Sequence, residues 1–287
     1  MARTLRIAML GLLLSASLVR AQAINEGLRT GGPYVPTPQE VVDHMLKFAN
    51  VGPRDFVIDL GSGDGRMVIT AAQRFGARGL GVDIDPELVE RSRAEAERLG
   101  LGERARFRVE DATRTPLADA SVVTLYLLPG FTRILQPRFL SELTPGSRIV
   151  AHDFDLGDWK ADREVVVDVK EKYGSPGTWK STLFLWTVPA QVSGTWQFEL
   201  GGAKPVRMAL RLEQKFQDVS GSAVSEGASL AVSGGRLEGK RIRFRLGAKG
   251  AAPDPTYEGV AEGDRMSGTV ELRGERVSWS ATRAVAP

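Results

Sequence analysis

Residues 56–66, FVIDLGSGDGR, set an apolar run directly before three glycines at Gly61, Gly63 and Gly65. A strand that ends in such a loop and opens a helix lets the backbone approach a ligand closely at the carboxyl edge of a sheet. The rest of the first half follows the same frame. The runs DFVIDL, RGLGVDI, ARFRVE, SVVTLYLL and SRIVAHDF alternate with helical patterns over about 66–75, 86–99 and 131–143, and Gly76 and Gly100 close the first two. This rhythm predicts a doubly wound, Rossmann-like α/β sheet covered on both faces. REVVVDVKE and STLFLWTV follow one another with no helix between them, so they read as antiparallel neighbours near the end of that sheet. Ahead of the glycines, PQEVVDHMLKFA places Val41, Val42, Met45, Leu46 and Ala49 on one helical face. Thr37 is the expected N-cap there, with Pro38 in the first turn and Glu40 completing a capping box. Asp85 is the expected N-cap of the helix that Pro86 begins.

The pattern changes at Pro189. From GTWQFEL to RVSWSATR the chain holds only short alternating runs between glycine-rich turns, as in Trp196, Phe198 and Leu200 or Val206, Met208, Leu210 and Leu212. A period of two at short spacing predicts an antiparallel β domain over 190–287, a barrel or a sandwich, behind an α/β domain over 24–189. Arg241, Arg243 and Arg245 alternate with Ile242, Phe244 and Leu246, the pattern of a solvated strand face. Residues 1–23 carry Arg3 and Arg6, an apolar stretch from Ile7 to Val19, and Ala21-Gln22-Ala23, the three parts of a secretory signal cut after Ala23. The expectation is an exported protein, periplasmic or secreted. The alternative is a retained anchor that keeps the protein near a membrane, although the apolar stretch is short of the ~20 residues of a spanning helix.

Composition narrows the chemistry. With no cysteine and two histidines, His44 and His152, neither a disulfide nor a metal centre is expected. The net charge of +3, from 38 basic and 35 acidic residues spread along the chain, predicts no nucleic-acid partner.

Charge selects the ligand of the glycine loop. Arg66 stands where a dinucleotide fingerprint has its last glycine, and Asp59 and Asp64 would repel a pyrophosphate. Asp83, in GVDIDP, lies about twenty residues past the loop, where an acid accepts ribose hydroxyls. Asp111 follows the third strand in position to accept from an exocyclic amine, with the backbone at Ala112 reading the ring edge. Adenine, ribose and a cationic part without phosphates describe S-adenosylmethionine.

At these residues the chain resembles the seven-stranded class I S-adenosylmethionine-dependent methyltransferases, over roughly Tyr34 to Pro189. PYVPTP, DLGSGDGR, TLYLLP and SRIVAHDFDLGDW are similar to a narrower group, bacterial relatives of the lysine methyltransferases that modify the c subunit of ATP synthase. The resemblance implies a cofactor set of Asp59, Gly61, Ser62, Gly63, Asp64, Gly65, Asp83, Ile84, Asp111 and Ala112. Tyr34 and Thr37 would belong to a segment folded over the methionine end. It also implies that Tyr126, Leu128 and Pro129 face the methyl group. His152 and Asp153, at a strand's carboxyl end, are the candidates to take a proton, although a histidine there more commonly holds a loop. The expected acceptor is an amine, foremost a protein lysine, with a small molecule as the other class. The Asn-Pro-Pro-Tyr signature of enzymes acting on planar amides and bases is absent. Two rival functions stand beside this one: an exported, non-catalytic ligand-binding protein, and a β-barrel binding module with the first domain as scaffold.

Overall fold

The computed structural model describes residues 31–284 other than 173, 203, 226 and 248–253; the expected signal segment lies outside the described residues. The chain divides into two compact units, one running to Leu143 and including Arg148–Trp186, the other formed by Thr144–Ser147 and everything from Thr187.

The first unit contains α1 (Gln39–Phe48), β1 (Phe56–Leu60), α2 (Arg66–Phe75), β2 (Arg78–Asp83), α3 (Pro86–Arg98), β3 (Ala105–Val109), β4 (Val122–Leu125), α4 (Pro129–Glu142), β5 (Arg148–His152), β6 (Arg163–Lys172) and β7 (Ser175–Thr187). Its seven strands lie in the order β3-β2-β1-β4-β5-β7-β6. Strands β1 to β5 pair in parallel, and β6 and β7 pair antiparallel. The predicted face of α1 is fully buried, with Val41, Val42, Met45, Leu46 and Ala49 packed among Val57, Met67, Val122, Val150 and Leu183. Each large side chain buried there contributes about 1.5–3 kcal/mol. A second cluster, including Val68, Ile69, Val89, Ala96 and Phe107, joins α2 and α3 to β3. Strand order reverses between β1 and its neighbours β2 and β4, which opens a crevice at their carboxyl ends.

Asp85 caps α3 as expected, its Oδ1 accepting from the N–H groups of Glu87 at 2.8 Å and Leu88 at 3.3 Å. The capping box at α1 does not form. Pro38 occupies the N-cap position and no side chain caps the helix. Thr37 is buried and turns its hydroxyl inward to His152, while Glu40 accepts from the N–H of Lys170. A buried imidazole offers the hydroxyl a partner that water cannot replace.

The second unit is a closed antiparallel barrel, which decides between the two architectures expected. Its strands are β8 (Gly194–Leu200), β9 (Val206–Lys215), β10 (Asp218–Ser225), β11 (Ala228–Glu238), β12 (Arg241–Gly247), β13 (Thr256–Glu262), β14 (Arg265–Leu272) and β15 (Glu275–Arg283). Pairing of β15 with β8 closes the ring. The interior is filled by Phe198, Phe244, Tyr257 and Trp279, whose paired ring centroids lie 5.2–6.4 Å apart. Trp279 donates from Nε1 to the carbonyls of Glu258 and Thr269, both at 3.2 Å. Its indole needs the bare backbone of Gly259, where a Cβ would stand 2.5 Å from Cζ2. Arg241, Arg243 and Arg245 are exposed while Ile242, Phe244 and Leu246 are buried, as expected of a solvated face. Ala190 and Val192 are buried in the barrel's own core, so the stretch after Pro189 is not an exposed linker.

Because four rings share one interior, Trp279→Ala is expected to destabilise the barrel by about 3–5 kcal/mol. The exposed Ser280→Ala should change stability by less than about 0.5 kcal/mol. Calorimetric unfolding of the two variants checks this; equal melting temperatures would show that the ring cluster does not hold the barrel.

Candidate active site

A cavity of about 720 Å³ opens at the carboxyl ends of β1 to β4, within the usual range for small-molecule sites. One side is formed by a strap, residues 31–38, tied down at both ends. The carbonyl of Gly31 accepts from Leu128 N at 2.9 Å, and the carbonyl of Thr37 accepts from Arg66 Nη1 at 2.8 Å. Tyr34 lies across the glycine loop. A Cβ on Gly63, whose φ is +54°, would meet its Cε2 at 2.6 Å.

The loop's acids differ in state. Asp59 is buried, and its Oδ1 accepts from Thr124 Oγ1 at 2.5 Å. Burial pushes its carboxyl up to about 7 against the pull of the Thr124 hydrogen bond, with Asp83 and Asp64 adding repulsion. Asp64 behaves oppositely. Against the cost of burial, the hydrogen bonds and charge of Arg66 hold it below the usual carboxylate range. Arg66 grips it bidentately, Nε to Oδ1 at 2.9 Å and Nη2 to Oδ2 at 2.5 Å. The sequence-based charge argument is corrected here: Asp64 lines the cavity as half of an ion pair, and the carboxylate left to meet a cation is Asp59. Burial and the neighbouring Asp64 raise the Tyr34 phenol, which keeps it a donor.

The remaining contacts follow the strands. Asp83 accepts from Gly63 N on Oδ2 at 2.8 Å and from Asp85 N on Oδ1 at 3.0 Å, and each oxygen has a further lone pair for a hydroxyl. Ile84 lines the cavity with its side chain largely exposed. Asp111 commits Oδ1 to Thr113, to N at 2.8 Å and to Oγ1 at 2.7 Å, and turns Oδ2 elsewhere. Ala112 lines the cavity, and its carbonyl is fixed by Arg138 Nη1 at 3.1 Å. Gly61, Ser62, Gly63 and Thr37 also line it. Ser62 Oγ is buried with no hydrogen-bond partner among the described residues, the state of a hydroxyl that a ligand completes.

Three expected site residues stand apart. Gly65 does not line the cavity; it is the N-cap of α2, turned against Phe107 and Ser92. His152 and Asp153 also lie outside the lining. His152 is fully buried behind Tyr126, which does line the cavity, and burial pushes its imidazole down to about 4, Asp153 opposing and Lys172 assisting. Its two nitrogens face Ser181 Oγ and Thr37 Oγ1, so the imidazole does not directly reach an acceptor held in the cavity. Sequence reasoning missed Arg66, Thr124 and Phe154. The loop's own D-G-R triplet was the available signal for Arg66, since an arginine two residues past an aspartate can fork onto it.

A family model described as the ANTKMT methyltransferase domain matches residues 59–163. A protein-lysine N-methyltransferase of Saccharolobus islandicus is 36% identical over 157 residues, 54% of this chain and 93% of that protein. This chain belongs to the same methyltransferase family as that archaeal protein. The adenine nucleotide translocase lysine N-methyltransferase of Mus musculus is 32% identical, over 46% of this chain and 58% of that protein. A Rattus norvegicus lysine N-methyltransferase named for the c subunit of ATP synthase is 33% identical, over 45% of this chain and 59% of that protein. The chain thus spans about three fifths of the length of these two mammalian relatives. An RNA methyltransferase of Salinibacter ruber, solved with S-adenosyl-L-homocysteine, is 44% identical over 55% of this chain and 96% of that one, with a TM-score of 0.49.

The protein is an S-adenosylmethionine-dependent methyltransferase, and the cavity fits that cofactor. Among the described residues its lining carries six acids, Asp59, Asp64, Asp83, Asp85, Glu110 and Asp111, against the single cation Arg66. Asp83 suits the ribose, Asp111 and Ala112 the adenine, and Asp59 with the orphan Ser62 hydroxyl the cationic amino-acid end.

A cation beside Asp59 favours its ionised form, so cofactor affinity should rise with pH up to about 7 and then level off, with proton release on binding below that point. Asp59→Asn should abolish the slope and weaken binding. Because the folded-state value is raised, the stability Asp59 contributes is full below about 4 and is lost as pH rises through about 7. The ligand-free Asn variant should therefore be more stable than wild type at pH 8, by about 1–4 kcal/mol. Calorimetry in two buffers of different ionisation enthalpy, with thermal melts, decides; pH-independent affinity in wild type would remove Asp59 from the cation site.

Proposed function

We propose that the protein methylates the ε-amine of a protein lysine. The observation that carries this is the apolar wall formed by Tyr126, Leu127, Leu128, Phe131 and Phe154, whose one ionisable side chain is a phenol. Tyr126 and Phe154 are stacked, with centroids 6.0 Å apart and planes 18° from parallel. The bound cofactor supplies an activated methyl group; the chain must supply alignment and an unprotonated nucleophile. A free lysine, with a pKa of about 10.4, is almost wholly protonated at neutral pH. Desolvation against this wall lowers that value, so the amine gives its proton to solvent as it enters and meets the methyl group uncharged. The relatives named as lysine methyltransferases support the reading, and so does TLYLLP, which lacks the Asn-Pro-Pro-Tyr signature of base-modifying enzymes.

Methyl transfer from labelled cofactor to poly-L-lysine, and to mixed protein and RNA from bacterial membranes and cytosol, tests it. Label recovered as Nε-methyl-lysine, with a rate that climbs with pH to an alkaline plateau, is expected. Label that ribonuclease releases, or methyl esters with lysine unmodified, would overturn the amine assignment. Tight cofactor binding without transfer to any fraction would instead favour the non-catalytic binding protein. We also infer export: N-terminal sequencing of the mature protein should begin at Ile24, and a chain beginning at Met1 in the cytosol would refute cleavage after Ala23.

A further inference from the structure

Behind Tyr126, the carboxyl end of β5 holds a buried polar cluster that no cofactor contact uses. His152 has Nε2 2.9 Å from Ser181 Oγ and Nδ1 3.4 Å from Thr37 Oγ1. Its ring lies against that of Tyr126, with centroids 4.0 Å apart. The next residue, Asp153, has a φ of +61°, a left-handed conformation that Asp and Asn tolerate better than most residues. Its Oδ1 accepts from Thr182 N at 3.0 Å, while its Oδ2 lies 2.6 Å from Lys172 Nζ and 3.4 Å from His152 Nε2. Lys172 stands on β6, at the edge of the sheet, where a lysine ordinarily extends into water. Here its side chain is only 7% exposed, and the ammonium also donates to the carbonyl of Lys180 at 2.8 Å.

Burying an ammonium is costly, and its ion pair and hydrogen bond often do no more than offset that cost. Thr37, at the end of the strap, and Tyr126, in the apolar wall, both line the cavity, and His152 touches both from behind. We propose that Lys172 is a positioning residue for methyl transfer: it fixes Asp153, Asp153 and Ser181 fix His152, and His152 holds Tyr126 and Thr37 in place. The inference rests on the reading of Tyr126 as part of the acceptor wall. The charged and titratable groups that face His152 are Asp153 from its own strand end, Lys172 from β6 and Tyr126 after β4. Lys172 both neutralises Asp153 and disfavours charge on the ring. Without it the imidazole sits beside an unpaired carboxylate and takes up a proton more readily. A protonated ring donates from both nitrogens, so whichever of the Thr37 and Ser181 hydroxyls had donated to the ring must turn its hydrogen away.

The test is Lys172→Met in the full chain, with ¹⁵N NMR of the two imidazoles, exposed His44 serving as the reference. The titration midpoint of His152 should rise by about one pH unit or more while that of His44 stays put. With poly-L-lysine as acceptor, kcat should fall about 10- to 100-fold, as for a misplacement of about 1 Å. S-adenosylhomocysteine affinity should stay within about threefold, and the kcat profile should gain an acid limb at the new midpoint. Lys172→Arg, which keeps the charge, should hold the His152 midpoint down and recover part of kcat. An unmoved His152 midpoint together with unchanged kcat in folded Lys172→Met would overturn the proposal. If that variant does not fold, Lys172→Gln, which removes the charge but keeps a donor toward Asp153, takes its place; an unmoved His152 midpoint with unchanged kcat there overturns it equally. Should wild type fail to methylate poly-L-lysine, the lysine assignment is at fault, and the His152 midpoint still decides the coupling.

Discussion

The site depends first on one guanidinium. Arg66 grips Asp64 through two nitrogens and gives a third to the carbonyl of Thr37, so a single planar group joins the glycine loop to the strap. A lysine has no such fork and could not serve both ends. Everything on the strap follows from that tie: Tyr34 rests on Gly63, Thr37 faces His152, and α1 starts where the strap ends. The ion pair also neutralises one negative charge of the loop, leaving Asp59 as a loop carboxyl with no salt-bridge partner among the described residues.

That carboxyl shows how a site trades stability for function. Asp59 is held between desolvation and a single hydroxyl, so in the absence of ligand its charge is disfavoured at neutral pH. Binding a cation relieves the penalty and returns it as affinity. Ser62, whose hydroxyl has no partner among the described residues, stores a smaller debt of the same kind.

Much of this was legible in the residues, because strands β1 to β5 and helices α2 and α3 are marked by local features that act over a few positions. Apolar runs, an Asp-Pro start at α3 and glycine stops fix those elements without help from distant chain. Asp59, Asp83 and Asp111 reach the cavity for a related reason: each lies at or just past the carboxyl end of a strand, so the fold alone delivers it to the crevice. Thr37 and His152 misled because their partners are remote. Thr37 has the sequence of a helix cap, but its hydroxyl is claimed by a ring 115 positions away. His152 has the position of a base, but β7 inserts between β5 and β6, bringing Ser181 beside the ring and letting the long stem of Lys172 reach in behind it. No local pattern announces a strand order, and the burial of a polar group is decided by what is laid over it. The barrel's period of two placed the interior residues apart from Val206, which is exposed at the start of β9, yet it could not distinguish a closed ring from two facing sheets, since both bury alternate positions.

Closure of that ring has a consequence for recognition. An open sheet offers two borders whose unpaired amides and carbonyls can be extended by any passing strand, a mode of contact nearly blind to sequence. Between β15 and β8 the barrel has used up both borders on itself. Whatever meets its outer surface must therefore read side chains, such as the outward Arg241, Arg243 and Arg245, or the turns between strands. Such contacts are specific to residue type, so this surface can diverge one substitution at a time while the packed rings inside keep the architecture constant.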